Sequence, residues 1–187
     1  MRPQQEVITT LREKAAAEAA AYGAAAPDER PLSGYLGLLG IYSLYAGLLA
    51  FLLRRLAPSL PERIEGRDLA LLALATHKVS RMASKDAVLS PLRAYFTAFG
   101  GRGGPGEVNE EARGEGFRHA AGELVTCPFC LAQWVATLAV FSYLVAPRAT
   151  RLVAGVFGVV AGSDLLQLLY AIAEQRAEEP AGAARTA

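Results

Sequence analysis

The chain has 187 residues, enough for one ordinary domain. Hydrophobic residues make up 52%, charged residues only 20%, mean hydropathy is +0.24 and the formal net charge is +1. That balance points away from a soluble domain and leaves no basic footprint for nucleic acid, and two cysteines exclude the disulfide framework of a small secreted domain.

Residues 1–33 read as a tail. Leu11 to Ala21 carries good helix formers without an apolar stripe, and an isolated helix of that length is marginal in water. The run from Ala26 to Pro31 breaks it, so a frayed helix and a flexible linker are expected. A membrane domain is expected over 34–173. Its first span is Gly34 to Leu53, twenty residues without a charge, enough to cross about 30 Å of hydrocarbon. The apolar stretch begins late and no small-residue cleavage site follows it, so an anchor is expected, not a signal peptide.

After Pro58 and Pro61 a second helix is predicted over 68–85, with Asp68 as N-cap. His77, Ser80, Arg81, Ser84 and Lys85 share one face of it, a polar stripe suited to a bundle interior or to anionic headgroups. Lys78 lies off that stripe and can snorkel. A cytoplasmic helix–loop–helix insert is predicted over 86–125. It comprises Ser90-Pro91 opening a short helix Leu92 to Phe99, a flexible loop Gly100 to Gly106, an exposed charged run 107–118, and a helix Gly116 to Val125. The loop lacks the Gly-Lys-Ser/Thr ending of a phosphate-binding loop.

Further spans follow at 128–146, with Trp134 placed as an interfacial aromatic, and at 152–173. In the latter, Gly155, Gly158 and Gly162 offer a close-packing face for a helix of this chain or of a second copy. A flexible tail is expected over 174–187.

Two topologies compete. If helix 68–85 does not cross, there are three spans, the N-terminus is outside, and eleven Lys and Arg between Arg54 and Arg118 are cytoplasmic, as the positive-inside rule favours. If it crosses, there are four, with both termini inside. The polarity of that helix favours three. In both, the insert and the C-terminus are inside and the turn 147–151 is outside.

Few residues can carry chemistry. Pro128 at the first helical position makes Cys127 an N-cap and Cys130 the third helical residue, a setting that lowers a thiol pKa. The pair reads as structural, as a metal-ligand pair or as a redox pair. A closed zinc site would need Cys127, Cys130, His119 and His77, all the Cys and His in the chain. Asp164, mid-span, needs a partner, water or a proton. His77, Lys78 and Arg81 are the natural partners, with Gln167 on nearly the same face. Such a network serves as a relay or simply fixes helix register. No nucleophile–base pair or phosphate signature is present, so a catalytic role is not expected.

The strings His77-Lys78-x-Ser80-Arg81, Lys85-Asp86 and Ser90-Pro91-Leu92-Arg93, then Gly122-Glu123-Leu124-x-Thr126-Cys127-Pro128-Phe129-Cys130 and Trp134, resemble a family of small uncharacterised bacterial multi-span membrane proteins, a domain of unknown function with some members labelled sporulation proteins. The resemblance covers roughly Asp68 to Tyr170. It implies a multi-pass protein of the bacterial plasma membrane and transfers no catalytic residue or cofactor.

The expectation is therefore an all-α integral membrane protein of three or four transmembrane helices with a cytoplasmic insert, its partner the lipid bilayer. A non-enzymatic scaffold comes first. A thiol or metal protein centred on Cys127 and Cys130 and an ion pathway through Asp164 are the alternatives. No resident cofactor is expected, zinc being the one candidate.

Overall fold

The computed structural model describes residues 3–23, 30–57 and 59–183. In chain order it contains α1 (Pro3–Gly23), α2 (Leu32–Leu56), α3 (Gly66–Lys85), a 3₁₀ turn (Ala87–Leu89), α4 (Ser90–Arg93), β1 (Thr97–Arg102), β2 (Val108–Ala112), α5 (Gly116–Thr126), α6 (Pro128–Val145) and α7 (Pro147–Ala183). Most of the linker 26–31 lies outside the described residues, as do 184–187 of the C-terminal tail.

α2, α6 and α7 as far as Arg176 are long and apolar enough to cross a membrane. At most 6% of each apolar window is buried by the rest of the chain. Side chains such as Leu44, Leu152 and Val159 are therefore solvated by hydrocarbon, and the chain is an integral, multi-pass membrane protein.

α3 is too polar for that class, yet it lies in the same layer. Its start is tied to the far end of α6 through Asp68 and Tyr143, and its last turns line one cavity with Pro128 and Phe129 at the start of α6. The two helices are therefore antiparallel along nearly their whole length. Against α7, Asp68 meets Arg151 and Lys78 meets Asp164, so α3 and α7 run the same way. Leu72 and Ala75 of α3, Tyr143 of α6 and Ala154 of α7 form the buried core of this three-helix unit.

α2 packs on its outside. Gly34 lies against Gly116 and Ala120 of α5, so tightly that a Cβ would come 2.6 Å from the Gly116 carbonyl oxygen. Further along α2, Tyr42 bonds Thr137 at 2.9 Å, and Tyr42 and Tyr45 enclose the Trp134 ring at centroid distances of 5.1 and 5.4 Å. Trp134 thus joins two helices and is only half exposed to the interface expected for it. The N-terminus of α2 consequently lies at the same end of the bundle as the insert.

The insert differs from a helix–loop–helix. The helix expected over Leu92 to Phe99 stops at Arg93, and Thr97 opens a strand. β1 and β2 form an antiparallel hairpin pairing Thr97 with Ala112, Phe99 with Glu110 and Arg102 with Val108, with a register shift at Gly100. Part of the glycine run is therefore strand. Gly101 and Gly106 adopt φ of 136° and 75°, which side-chain-bearing residues rarely do. The short helix ends because the Thr97 hydroxyl and the Phe96 amide both bond the Arg93 carbonyl. The hairpin then packs on α5, where Gly122 meets the Phe96 carbonyl and Ala112.

Asp68 is not the cap of α3 either. Glu65 holds that position, and Asp68 lies in the first turn with its carboxylate turned to Arg151.

A Cβ on Gly122 would stand 2.6 Å from the Phe96 carbonyl oxygen and 2.8 Å from the Ala112 Cβ. Gly122→Ala is expected to cost about 1–3 kcal/mol through overpacking, read as a lowered thermal midpoint in detergent. Gly47→Ala, with open space at its Cβ, should leave the midpoint unchanged.

Candidate functional site

Charged groups cannot face hydrocarbon alone, and the charges of α3 at three heights are each matched. At the outer end Asp68, 3% exposed, accepts from Arg151 Nε at 2.8 Å and Nη2 at 2.7 Å, and from the Tyr143 hydroxyl at 2.6 Å. Lower down, the Lys78 Nζ donates to Asp164 Oδ2 at 2.7 Å. At the insert end Arg81 binds both Glu107 oxygens, at 2.6 and 2.8 Å. Of the partners weighed for Asp164, the structure brings in Lys78. Gln167 bonds Ser163 instead, and the His77 ring is exposed beside a groove. The polar stripe divides: Ser80 and Ser84 are buried and bond carbonyls of their own helix, whereas His77 and Arg81 remain exposed.

Beyond α3 the insert is bolted down by Arg93. Its side chain is 3% exposed and that of Glu110 is 5% exposed. Arg93 donates through Nε and Nη2 to Glu110 at 2.8 and 3.1 Å, and to the Ala83 and Asp86 carbonyls at the C-terminal end of α3, both at 2.9 Å. Ser90 and Thr97 donate to the same carboxylate. The guanidinium thus caps a helix, holds α4 and ties in β2. Burial pushes the Glu110 carboxyl up, but the Arg93, Ser90 and Thr97 hydrogen bonds and the Arg93 charge outweigh it, leaving its pKa below the ordinary glutamate range. Sequence reasoning missed this knot. Arg93 stood within a quoted motif, but Glu110 lay in a charged run read as solvated.

Glu123 of α5 gathers the N-terminal end of α2. It accepts from the Tyr35 hydroxyl and lies 3.5 Å from Arg30 and 3.8 Å from His119. Cys127 caps α6, its sulfur accepting the Cys130 amide at 3.2 Å, and both cysteines are free thiols. His119 and His77 do not converge on them. Among the described residues no group of three or more His, Cys, Asp and Glu side chains is placed to share a metal ion. Of the small-residue face on α7, Gly158 packs on Leu71 of α3, while a Cβ on Gly155 or Gly162 would meet nothing within 4 Å.

Polar contacts of Arg81 and Arg93 thus join α3 to the insert. Residues 71–170 match the family model described as "Protein of unknown function (DUF1360)", just over half of the chain. The chain belongs to the DUF1360 family. It is also 28% identical over 106 residues to "Sporulation protein YjcA" of Bacillus subtilis (strain 168), covering 52% of this chain and 90% of that protein. No solved structure matches. The DUF1360 match begins within α3 and ends within α7, so the shared unit is α3, insert, α6 and α7, with α2 outside it. The Lys78–Asp164, Arg81–Glu107 and Arg93–Glu110 pairs all fall inside the matched residues.

Arg93→Met leaves the Glu110 carboxylate buried without its countercharge, a loss of about 3–5 kcal/mol. Hydrogen exchange in detergent is expected to show residues 97–112 deprotected while α6 and α7 stay protected. The contribution of Glu110 is fully present above the unfolded glutamate pKa of about 4.3 and is lost as pH falls through its depressed folded value. The hairpin should therefore open on the acid side, and Glu110→Gln should abolish that acid dependence.

Proposed function

We propose that the protein is a non-catalytic membrane scaffold, in which a four-helix membrane unit presents a rigid hairpin insert at the cytoplasmic face. The observation that carries this reading is the Arg93 knot. Lys78, Arg81 and Arg93 of the motifs are each engaged by a carboxylate, of Asp164, Glu107 and Glu110, and the last two fasten the insert to the bundle. With α2, α3, α6 and α7 alternating in direction, both termini share the insert's side. Six of the 19 Lys and Arg, namely Arg54, Arg55, Arg63, Arg67, Arg148 and Arg151, belong to the opposite end. Among the described residues the other eleven belong to the insert's side or to the bundle, which supports a cytoplasmic insert. Arg151 and Arg67 are moreover paired, with Asp68 and Glu65.

Cysteine accessibility tests the topology. In a Cys127→Ser/Cys130→Ser background on intact cells, a membrane-impermeant maleimide is expected to label Arg63→Cys and to spare Thr9→Cys and Arg102→Cys. Labelling at residue 9 with protection at residue 63 would restore three crossings. Purified protein is expected to carry no stoichiometric metal and no thiol reacting well below pH 8, and either finding would favour the thiol or metal reading. Light scattering on the same preparation tests whether Gly155 and Gly162 hold a second copy.

The Lys78–Asp164 pair is read as a register lock. Removing one charge strands the other, so Asp164→Leu should destabilise the purified protein more than Lys78→Met/Asp164→Leu does. Proton flux into liposomes that depends on Asp164 would instead support a relay.

A further inference from the structure

We propose that the groove between α3 and α6 is a binding site for one glycerophospholipid of the cytoplasmic leaflet, its acyl chain along the groove and its phosphate at His77 and Arg81. The inference rests on α3 crossing the bilayer. The groove has a volume of about 440 Å³, with apolar walls from Leu69, Leu72 and Ala73 on one side and Ala132, Ala136 and Val140 on the other. At the insert end it is bounded by His77, Arg81, Pro128 and Phe129. From Leu69 to Arg81 is twelve residues, about 18 Å of helix, close to the depth of one leaflet of a core about 30 Å thick.

The insert end has the donors a phosphate needs. Arg81 spends Nε and Nη2 on Glu107 and keeps Nη1, with its side chain 49% exposed. The exposed His77 ring has no hydrogen-bond partner among the described residues. The first turn of α6, where Pro128 has no amide hydrogen and the Cys130 amide is capped by the Cys127 sulfur, adds only its dipole. Glu107 offsets the Arg81 charge, so the end selects a phosphate through hydrogen bonds, not a headgroup of particular net charge. The second groove, lined by Ala75, Val135, Phe141, Ala149, Val153 and Phe157 among others, has about the same volume, 450 Å³, and no ionisable lining residue. It takes hydrocarbon without discrimination.

Native mass spectrometry of the full-length, delipidated protein in detergent tests this with phosphatidylglycerol, phosphatidylcholine and dioleoylglycerol. Wild type is expected to retain one phospholipid of either kind at least about tenfold over dioleoylglycerol, the discrimination that charge-assisted hydrogen bonds provide. Ala73→Phe and Ala136→Phe fill the groove and should abolish retention, while Val153→Phe in the other groove should not. His77→Ala/Arg81→Gln should bring the preference within twofold, and millimolar inorganic phosphate should not displace the lipid. Equal retention of dioleoylglycerol by wild type, or unchanged retention in both groove-filling variants, overturns the proposal. A failed topology is read separately, from labelling at residues 9 and 63.

Discussion

A charge inside a bilayer must carry its countercharge with it, and that requirement organises the molecule around α3. This helix has too many ionisable groups to be solvated by lipid, so it lies where α6 and α7 can answer them. Asp68 finds Arg151 and Tyr143, and Lys78 finds Asp164, each at under 3 Å. These contacts set the register of α3 against α7 at two heights, and a helix held at two heights can neither slide nor tilt freely. Leu72, Ala75 and Ala154 then close the space between them. The apolar packing alone would tolerate several registers; the ion pairs tolerate one.

The same logic extends past the membrane surface. Arg81 and Glu107, then Arg93 and Glu110, continue the pairing into the insert. Arg93 matters most because it serves the exposed carbonyls at the end of α3 as well as a buried carboxylate. Within 71–170, the segment matching the family, Lys78, Arg81 and Arg93 thus each have an architectural partner. α2 is fastened differently, by glycine contacts with α5 and by tyrosines around Trp134, and it lies outside the matched segment.

The long apolar helices were legible in the sequence because hydropathy is local and sums along the chain. The need of Asp164 for a partner was legible too. Its choice of Lys78 over His77 or Arg81 was not, since that depends on register between helices 86 positions apart. The hairpin escaped notice for a similar reason. Its strands are short, the first holds two glycines, and its buried carboxylate stands beside other glutamates, so only pairing with a distant arginine marks it out. The pairing of α3 was not legible either, because composition records charges but not what neutralises them.

The ladder on α3 has a consequence for how the chain is made. Ribosomes add roughly 5–20 residues per second, so the 86 positions separating Lys78 from Asp164 correspond to about 4–17 s of translation. Throughout that interval Lys78 has been made while Asp164 has not, whereas Glu107, the partner of Arg81, follows after 26 positions. The pair that joins α3 to the insert can therefore form before the pairs that join it to α7.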